Sequence, residues 1–258
     1  MFRQDVINII GTFSSLFTFW FGFSVWRQSS NEKVLRNFLQ FTVGIGLWGL
    51  TMIMALSFFD NLDITLVLVR LHMSAAVFLC FSFLLFALAA GNIVLQKSTK
   101  MMFYVVSACI FLACFSEIIF KEISNGLTIP QVHPGKGMPL FAIFTFSCVA
   151  LGCAILTRGW LKRDEFNRFQ LKIITISAAI LFLLINIFSF FIVLVFHNTF
   201  FLPLAPIFLL PSVIAMSYSI SRYGLGSAGL TLRRDALATL VICLELVVIF
   251  YFSGFLDS

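Results

Sequence analysis

RGWLKRDEFNRFQLK, residues 158–172, carries five of the chain's seventeen basic residues and is flanked by apolar stretches at 140–157 and 171–196. Three other short segments repeat the pattern: 27–36 (Arg27, Lys33, Arg36), 97–100 (Lys97, Lys100) and 222–234 (Arg222, Arg233, Arg234). Together the four segments hold thirteen of the seventeen Lys and Arg residues, and each alternates with a loop nearly free of positive charge. Positive charge is retained on the cytoplasmic side of a bilayer, so the alternation gives both the number of crossings and their direction.

An apolar helix needs about 20 residues, at about 1.5 Å each, to cross a hydrocarbon core of about 30 Å. The sequence predicts eight such spans, at 6–26, 38–59, 64–95, 101–120, 140–157, 171–196, 204–221 and 236–253. The first is too long for a signal peptide and lacks a small-residue cleavage site. The third exceeds a simple crossing, so it tilts or extends past the membrane. Basic loops follow spans one, three, five and seven, which places them in the cytoplasm and the N-terminus outside. The other side keeps only Arg3, Arg70, Lys121 and Lys136. The expected fold is all-α: a polytopic transmembrane helical bundle with a seven-helix, N-out core at 1–226. A cytoplasmic linker and an eighth span fill 227–258.

Composition agrees. A chain that is 60% hydrophobic and 11% charged, with 34 Phe spread through its apolar runs, does not hide that surface in one soluble core. The formal charge of +6 sits beside the spans, so the partner it indicates is the lipid bilayer, not nucleic acid. Six cysteines lie inside apolar runs without CxxC spacing and read as small buried hydrophobes. No metal or other cofactor is expected.

One outer loop is long. Residues 121–138, KEISNGLTIPQVHPGKGM, alternate polar and apolar positions between Gly and Pro turn residues, which reads as a small hairpin or ordered lid, or else as a flexible connector. The glycines of GIGLWG (Gly44, Gly46, Gly49) allow close helix approach in span two.

Ionisable groups inside spans are costly, so function is sought there. Arg70 in span three and Glu117 in span four lie at similar depth and are expected to pair, Arg70 anchoring a ligand carboxylate, carbonyl or phosphate. The alternative is that Arg70 snorkels to headgroups and Glu117 reaches water. His72, Trp48 and Asn186 complete the candidate ligand-binding set; the last two read equally as packing and helix–helix hydrogen bonding. His72, His133 and His197, with Asp60 and Asp63, are the candidates for a metal or pH switch, although their spacing supports none. Glu245 faces another helix, or a span missing from this chain. Span seven contains Pro203 and Pro206 at its entry and an internal Pro211 that should kink it.

The ending YSISRYGL (Tyr218 to Leu225), with the GLWGL tryptophan, the Arg70-Leu71 start of a long third span and the Gly- and Pro-bearing loop before span five, resembles the N-terminal seven-transmembrane sensory region of bacterial histidine kinases. The layout looks most like LuxN-type quorum-sensing receptors. The resemblance implies a multi-pass protein of the bacterial cytoplasmic membrane, sensing a small apolar or acyl-type signal from outside. It implies a relay through Pro211, Tyr218, Arg222 and Tyr223 to a histidine-kinase domain in cis or a partner in trans, and a homodimer as a further partnership. No H-box or ATP-binding stretch is present, so the chain is expected to be a sensor without its output domain, and not an enzyme. The competing class is a small-solute transporter using Arg70, Glu117 and Glu245, or a pH- or metal-responsive membrane protein. Against a carrier, no inverted repeat is visible and one span alone has an internal proline.

Overall fold

The computed structural model describes residues 2–28, 33–58, 61–124, 131–162, 165–187 and 205–223. They form α1 (Phe2–Gln28), α2 (Lys33–Ser57), α3 (Leu62–Ala90), α4 (Lys97–Ala113), β1 (Phe120–Ser124), β2 (Gln131–Pro134), α5 (Met138–Leu161), α6 (Glu165–Asn186) and α7 (Ala205–Tyr223). Five helices contain apolar segments long enough to cross a membrane: Asn8–Arg27, Lys33–Ser57, Leu62–Ala90, Met138–Leu161 and Arg168–Asn186. A shorter one lies at Ala205–Ile220 in α7. This is the all-α, membrane-type bundle that the charge alternation predicts. The eighth span, Asp60, His197, Pro203 and Glu245 lie outside the described residues.

Helices α1, α2, α3, α5, α6 and α7 follow one another round a ring that α7 closes against α1. Helix α4 stands outside it, against α3, and α2 also reaches α7. The position of α2 follows from its glycines, which face three different neighbours. A Cβ on Gly44 would lie 2.8 Å from the Leu79 Cα on α3. One on Gly46 would lie 2.6 Å from the Phe19 ring of α1, and one on Gly49 would overlap Ser15 of α1 and come within 3.0 Å of Pro206 on α7. On α1, Gly22 answers with the same device against Thr42. Small residues let backbones approach where lipid tails supply no competing hydrophobic drive.

Polar residues inside this packing are satisfied locally. Ser14, Ser15 and Thr18 donate to the carbonyls of Ile10, Gly11 and Ser14, one turn back. Their hydroxyls therefore carry no unmatched proton into the apolar interface. Between α2, α3 and α6 the interior is aromatic: Phe38 packs on Phe86 at 5.4 Å, Phe41 on Phe83 at 5.3 Å and Phe83 on Phe182 at 4.8 Å. Asn37 crosses from α2 to donate to the Leu85 carbonyl at 2.9 Å.

Helix α3 begins at Asn61, whose side chain accepts from the Ile64 N–H at 3.2 Å. It ends at Gly91, followed by Asn92 with φ 55°, a left-handed position that asparagine tolerates. Its 29 residues make it about 43 Å long at 1.5 Å per residue, more than a perpendicular crossing requires.

At the basic end, α6 and α7 are joined by a polar clamp. Gln170, fully buried, donates through Nε2 to the Ser219 carbonyl at 3.1 Å, and Ser219 Oγ donates to the Gln170 carbonyl at 3.2 Å. The Gln170 Oε1 is buried without a donor. Gln170→Leu removes one neutral hydrogen bond together with one unmatched oxygen, and these changes oppose each other. Thermal unfolding in detergent is expected to move by less than about 1 kcal/mol for Gln170→Leu, while Gln170→Ala, which also leaves a cavity, costs about 2 kcal/mol or more.

Candidate functional site

Arg70 and His72 are two residues apart on α3, and at about 100° per residue they face nearly opposite sides of it. The structure accordingly divides the residues that the sequence groups into one site.

Arg70 faces α4 and the hairpin. It lies about 12 Å along α3 from the first residue of the helix. Its Nη2 donates to the Phe120 carbonyl at 3.0 Å, where β1 begins. Its Nε is buried without a partner. One turn further on, Ser74 donates to the Arg70 carbonyl at 2.9 Å and reaches the Phe111 carbonyl of α4 at 3.5 Å. Beneath the hairpin lies a separate apolar cluster of Val77, Ile110, Cys114, Ile119, Phe120 and Phe141.

The loop before α5 is an antiparallel hairpin. Glu122 pairs with His133, Ile123 with Val132 and Ser124 with Gln131, with an irregularity between Phe120 and Glu122. Its base is held by Gly135, whose N–H donates to the Ile119 carbonyl at 2.8 Å, and by Gly137, donating to the Ile118 carbonyl at 2.7 Å. A Cβ at Gly135 would overlap the carbonyl oxygens of Glu117 and Ile118, so the position requires glycine.

The expected Arg70–Glu117 ion pair does not form. The predicted span at 101–120 is helical only to Ala113; residues 114–119 turn, and Glu117 is exposed. Two local bonds mark the end of the helix: Ser116 Oγ donates to the Ala113 carbonyl at 2.7 Å and accepts from the Ile118 N–H at 3.3 Å. The guanidinium takes a backbone carbonyl instead. Lys121 and Glu122 form an exposed ion pair at 3.8 Å, which contributes little.

His72 faces α2. Its Nδ1 is 3.0 Å from the Trp48 carbonyl and 3.4 Å from Thr51 Oγ1, and the two rings lie 5.2 Å apart. The carbonyl can only accept, and Thr51 already donates to the Leu47 carbonyl at 2.8 Å. Nδ1 therefore carries the proton, and in the neutral ring Nε2 is an acceptor. Trp48 and His72 are brought together as an α2–α3 contact. Thr51 was not singled out from the sequence, although a hydroxyl three residues from Trp48 in an apolar run was its signal.

The remaining candidates are dispersed. Asn186 ends α6 and donates to the Phe182 carbonyl of its own helix at 2.7 Å. Pro211 lies inside α7, where it withholds one backbone donor, and Tyr218 is half-buried on the same helix. Arg222 and Tyr223 belong to the last turn of α7; their side chains lie outside the described residues. Asp63 is exposed in the first turn of α3, where a negative charge suits the helix N-terminus. Among the described residues no group of three His, Cys, Asp or Glu converges.

The chemistry offered at the hairpin end is thus that of a guanidinium. It has five N–H donors in all, one of them committed to Phe120, beside an apolar cluster and under a stapled hairpin. Such a group recognises an acceptor: a carbonyl, carboxylate or phosphate. The family model described as the N-terminal 7TM region of histidine kinase matches residues 10–227, from the first turns of α1 to just past α7. No curated protein matches the chain.

Proposed function

The chain belongs to the family of N-terminal 7TM regions of histidine kinases, a membrane sensory module, and we propose that it binds a small, mostly apolar ligand from the outer side and relays the event inward to a kinase. The observation that carries this reading is Arg70, a half-buried cation within α3 whose Nε has no partner and whose Nη2 holds the base of the hairpin. A ligand with an acyl chain and a carbonyl or carboxylate head matches both parts of that environment. The chain packs on the cluster of Ile110, Phe120 and Phe141, and the head takes the remaining guanidinium donors. The hairpin then acts as a lid, with Arg70 as its attachment to α3.

The charge alternation supports an N-out orientation, which puts the hairpin outside and the α6–α7 clamp at the inner face. Signal passes from α3 to α5, on to α6, and through Gln170 and Ser219 to α7, whose Tyr218, Arg222 and Tyr223 lead towards the output. Family membership implies a kinase domain or protein as the partner at that end. Ligand shifts the bundle only by its differential affinity for two arrangements.

The test is thermal stabilisation of the chain in nanodiscs by medium-chain acyl carboxylates and acyl amides. Stabilisation is expected for wild type and for Glu117→Gln, whose side chain is exposed, and is lost in Arg70→Gln. Equal stabilisation of Arg70→Gln rejects the anchor. Counterflow of the same compounds in proteoliposomes identifies a carrier instead of a sensor.

A further inference from the structure

The interior of the ring is closed by aromatic side chains at mid-depth and opens towards the hairpin end. Phe83 of α3 meets Phe41 of α2 at 5.3 Å and Phe182 of α6 at 4.8 Å, and all three rings are buried. Above this floor two interior stripes lose their cover together. On α3, Phe83, Leu79, Ala76 and His72 follow one another at helical spacing; the first two are buried and the last two half-buried. On α6 the stripe Ile174, Ala178 and Leu181 is fully buried, and Ile185, one turn past Leu181, is half-buried. Arg70 lies on the other side of α3, so this space is separate from the one beneath the hairpin.

His72 brings one polar atom to it. Its Nδ1 proton is committed to the Trp48 carbonyl at 3.0 Å, so Nε2 is an acceptor and the neutral ring has no second proton to give. No described residue donates to Nε2. Nor is the atom sealed: among the described residues the buried polar atoms without partners are Asn8 Oδ1, Arg70 Nε, Trp160 Nε1 and Gln170 Oε1. An open acceptor within an apolar interior favours an occupant that donates.

We infer that the outer interior of the ring binds a small neutral alcohol. Its hydroxyl donates to His72 Nε2, and its apolar body lies between Ala76 of α3 and Ile185 of α6, above the phenylalanine floor. Trp48 stays behind the imidazole and fixes its orientation through the carbonyl. Because α7 closes the ring against α1, the occupant is a diffusible molecule and not a bilayer lipid. The preference is opposite to that of Arg70, which seeks an acceptor, so α3 meets chemically different ligands on its two sides.

The experiment uses the full chain in phosphatidylcholine nanodiscs and two photoreactive probes, a phenylalkanol and its methyl ether. The ether keeps the oxygen as an acceptor and loses only the donated proton. Cross-linked peptides are read by mass spectrometry, with the lipid-facing segment 9–20 of α1 as the reference for partition into the bilayer. The alcohol is expected to label segments 72–79 and 181–186 over the ether by roughly three- to tenfold, the value of one net hydrogen bond. His72→Phe, which keeps a ring and removes the acceptor, is expected to abolish the preference while both probes still label. Ala76→Leu, which fills the space beside His72, is expected to reduce labelling by both. Arg70→Gln leaves the preference intact, which separates this site from the one beneath the hairpin. Nitrogen-15 NMR of histidine-labelled wild-type chain reads the same bond without any exchange: the Nε2 resonance of His72 moves with the alcohol and not with the ether. Equal labelling by the two probes, an Nε2 resonance that answers both alike, or an unchanged preference in His72→Phe with a wild-type melting curve overturns the inference.

Discussion

Gly44→Val is expected to lower the thermal midpoint of the solubilised bundle more than any other single exchange among the glycines of α2. The Cβ it adds would lie 2.8 Å from the Leu79 Cα and 3.3 Å from the Leu79 nitrogen, so the obstruction is backbone and cannot rotate away. Only a shift of α3 against α2 relieves it, and that shift also disturbs the Trp48–His72 and Asn37–Leu85 contacts along the same interface. Overpacking a tight interior costs about 1–3 kcal/mol, and a backbone collision belongs at the upper end or beyond. Gly46→Ala is the control, because its added carbon meets the far edge of the Phe19 ring, which can turn aside. Tryptophan fluorescence during heating reads both variants. A Gly44→Val midpoint equal to that of wild type contradicts the α2–α3 approach described above.

Arg70→Ala is expected to loosen the hairpin. The lost bond joins a charged donor to the Phe120 carbonyl, next to the Ile119 carbonyl that Gly135 holds. Hydrogen bonds to charged groups contribute about 1.5–3 kcal/mol, offset here in part because the unmatched Nε leaves with the side chain. Amide exchange across 120–124 and 131–137 should therefore accelerate by roughly tenfold or more, while the amides of α2 and α6 hold their rates. Arg70→Lys, with an ammonium in place of the fork, falls between. Hydrogen exchange read by mass spectrometry decides the matter, and uniform acceleration throughout the bundle would mean that Arg70 supports the whole fold and not the hairpin in particular.

The bundle was legible because its causes are one-dimensional. Membrane length and charge side are properties of consecutive residues, so the alternation around 158–172 identified the helices before any contact was known. GIGLWG announced close packing, yet which neighbour each glycine meets depends on a ring order that no local pattern encodes. The candidate site was harder for two definite reasons. Arg70 and His72 are neighbours in sequence but lie about 200° apart on α3, so similar depth did not mean a shared face. Glu117 was assigned to a helix by hydropathy alone, whereas α4 stops at Ala113 because Ser116 takes up backbone groups and Gly135 and Gly137 return to the carbonyls of Ile119 and Ile118. The partners that matter most, the Phe120 carbonyl for Arg70 and the Trp48 carbonyl for His72, are backbone atoms, which a search for complementary side chains does not find.

The most direct measurement joins residues 1–227 to a histidine-kinase core, reconstitutes the fusion in nanodiscs and follows its autophosphorylation with and without a medium-chain acyl carboxylate that stabilises the bundle. A ligand-dependent change in rate that disappears in Arg70→Gln, with the basal rate preserved, is the predicted result. The same change in Arg70→Gln, or a ligand that stabilises the bundle without altering the rate, would contradict a sensor that reads its signal beneath the hairpin.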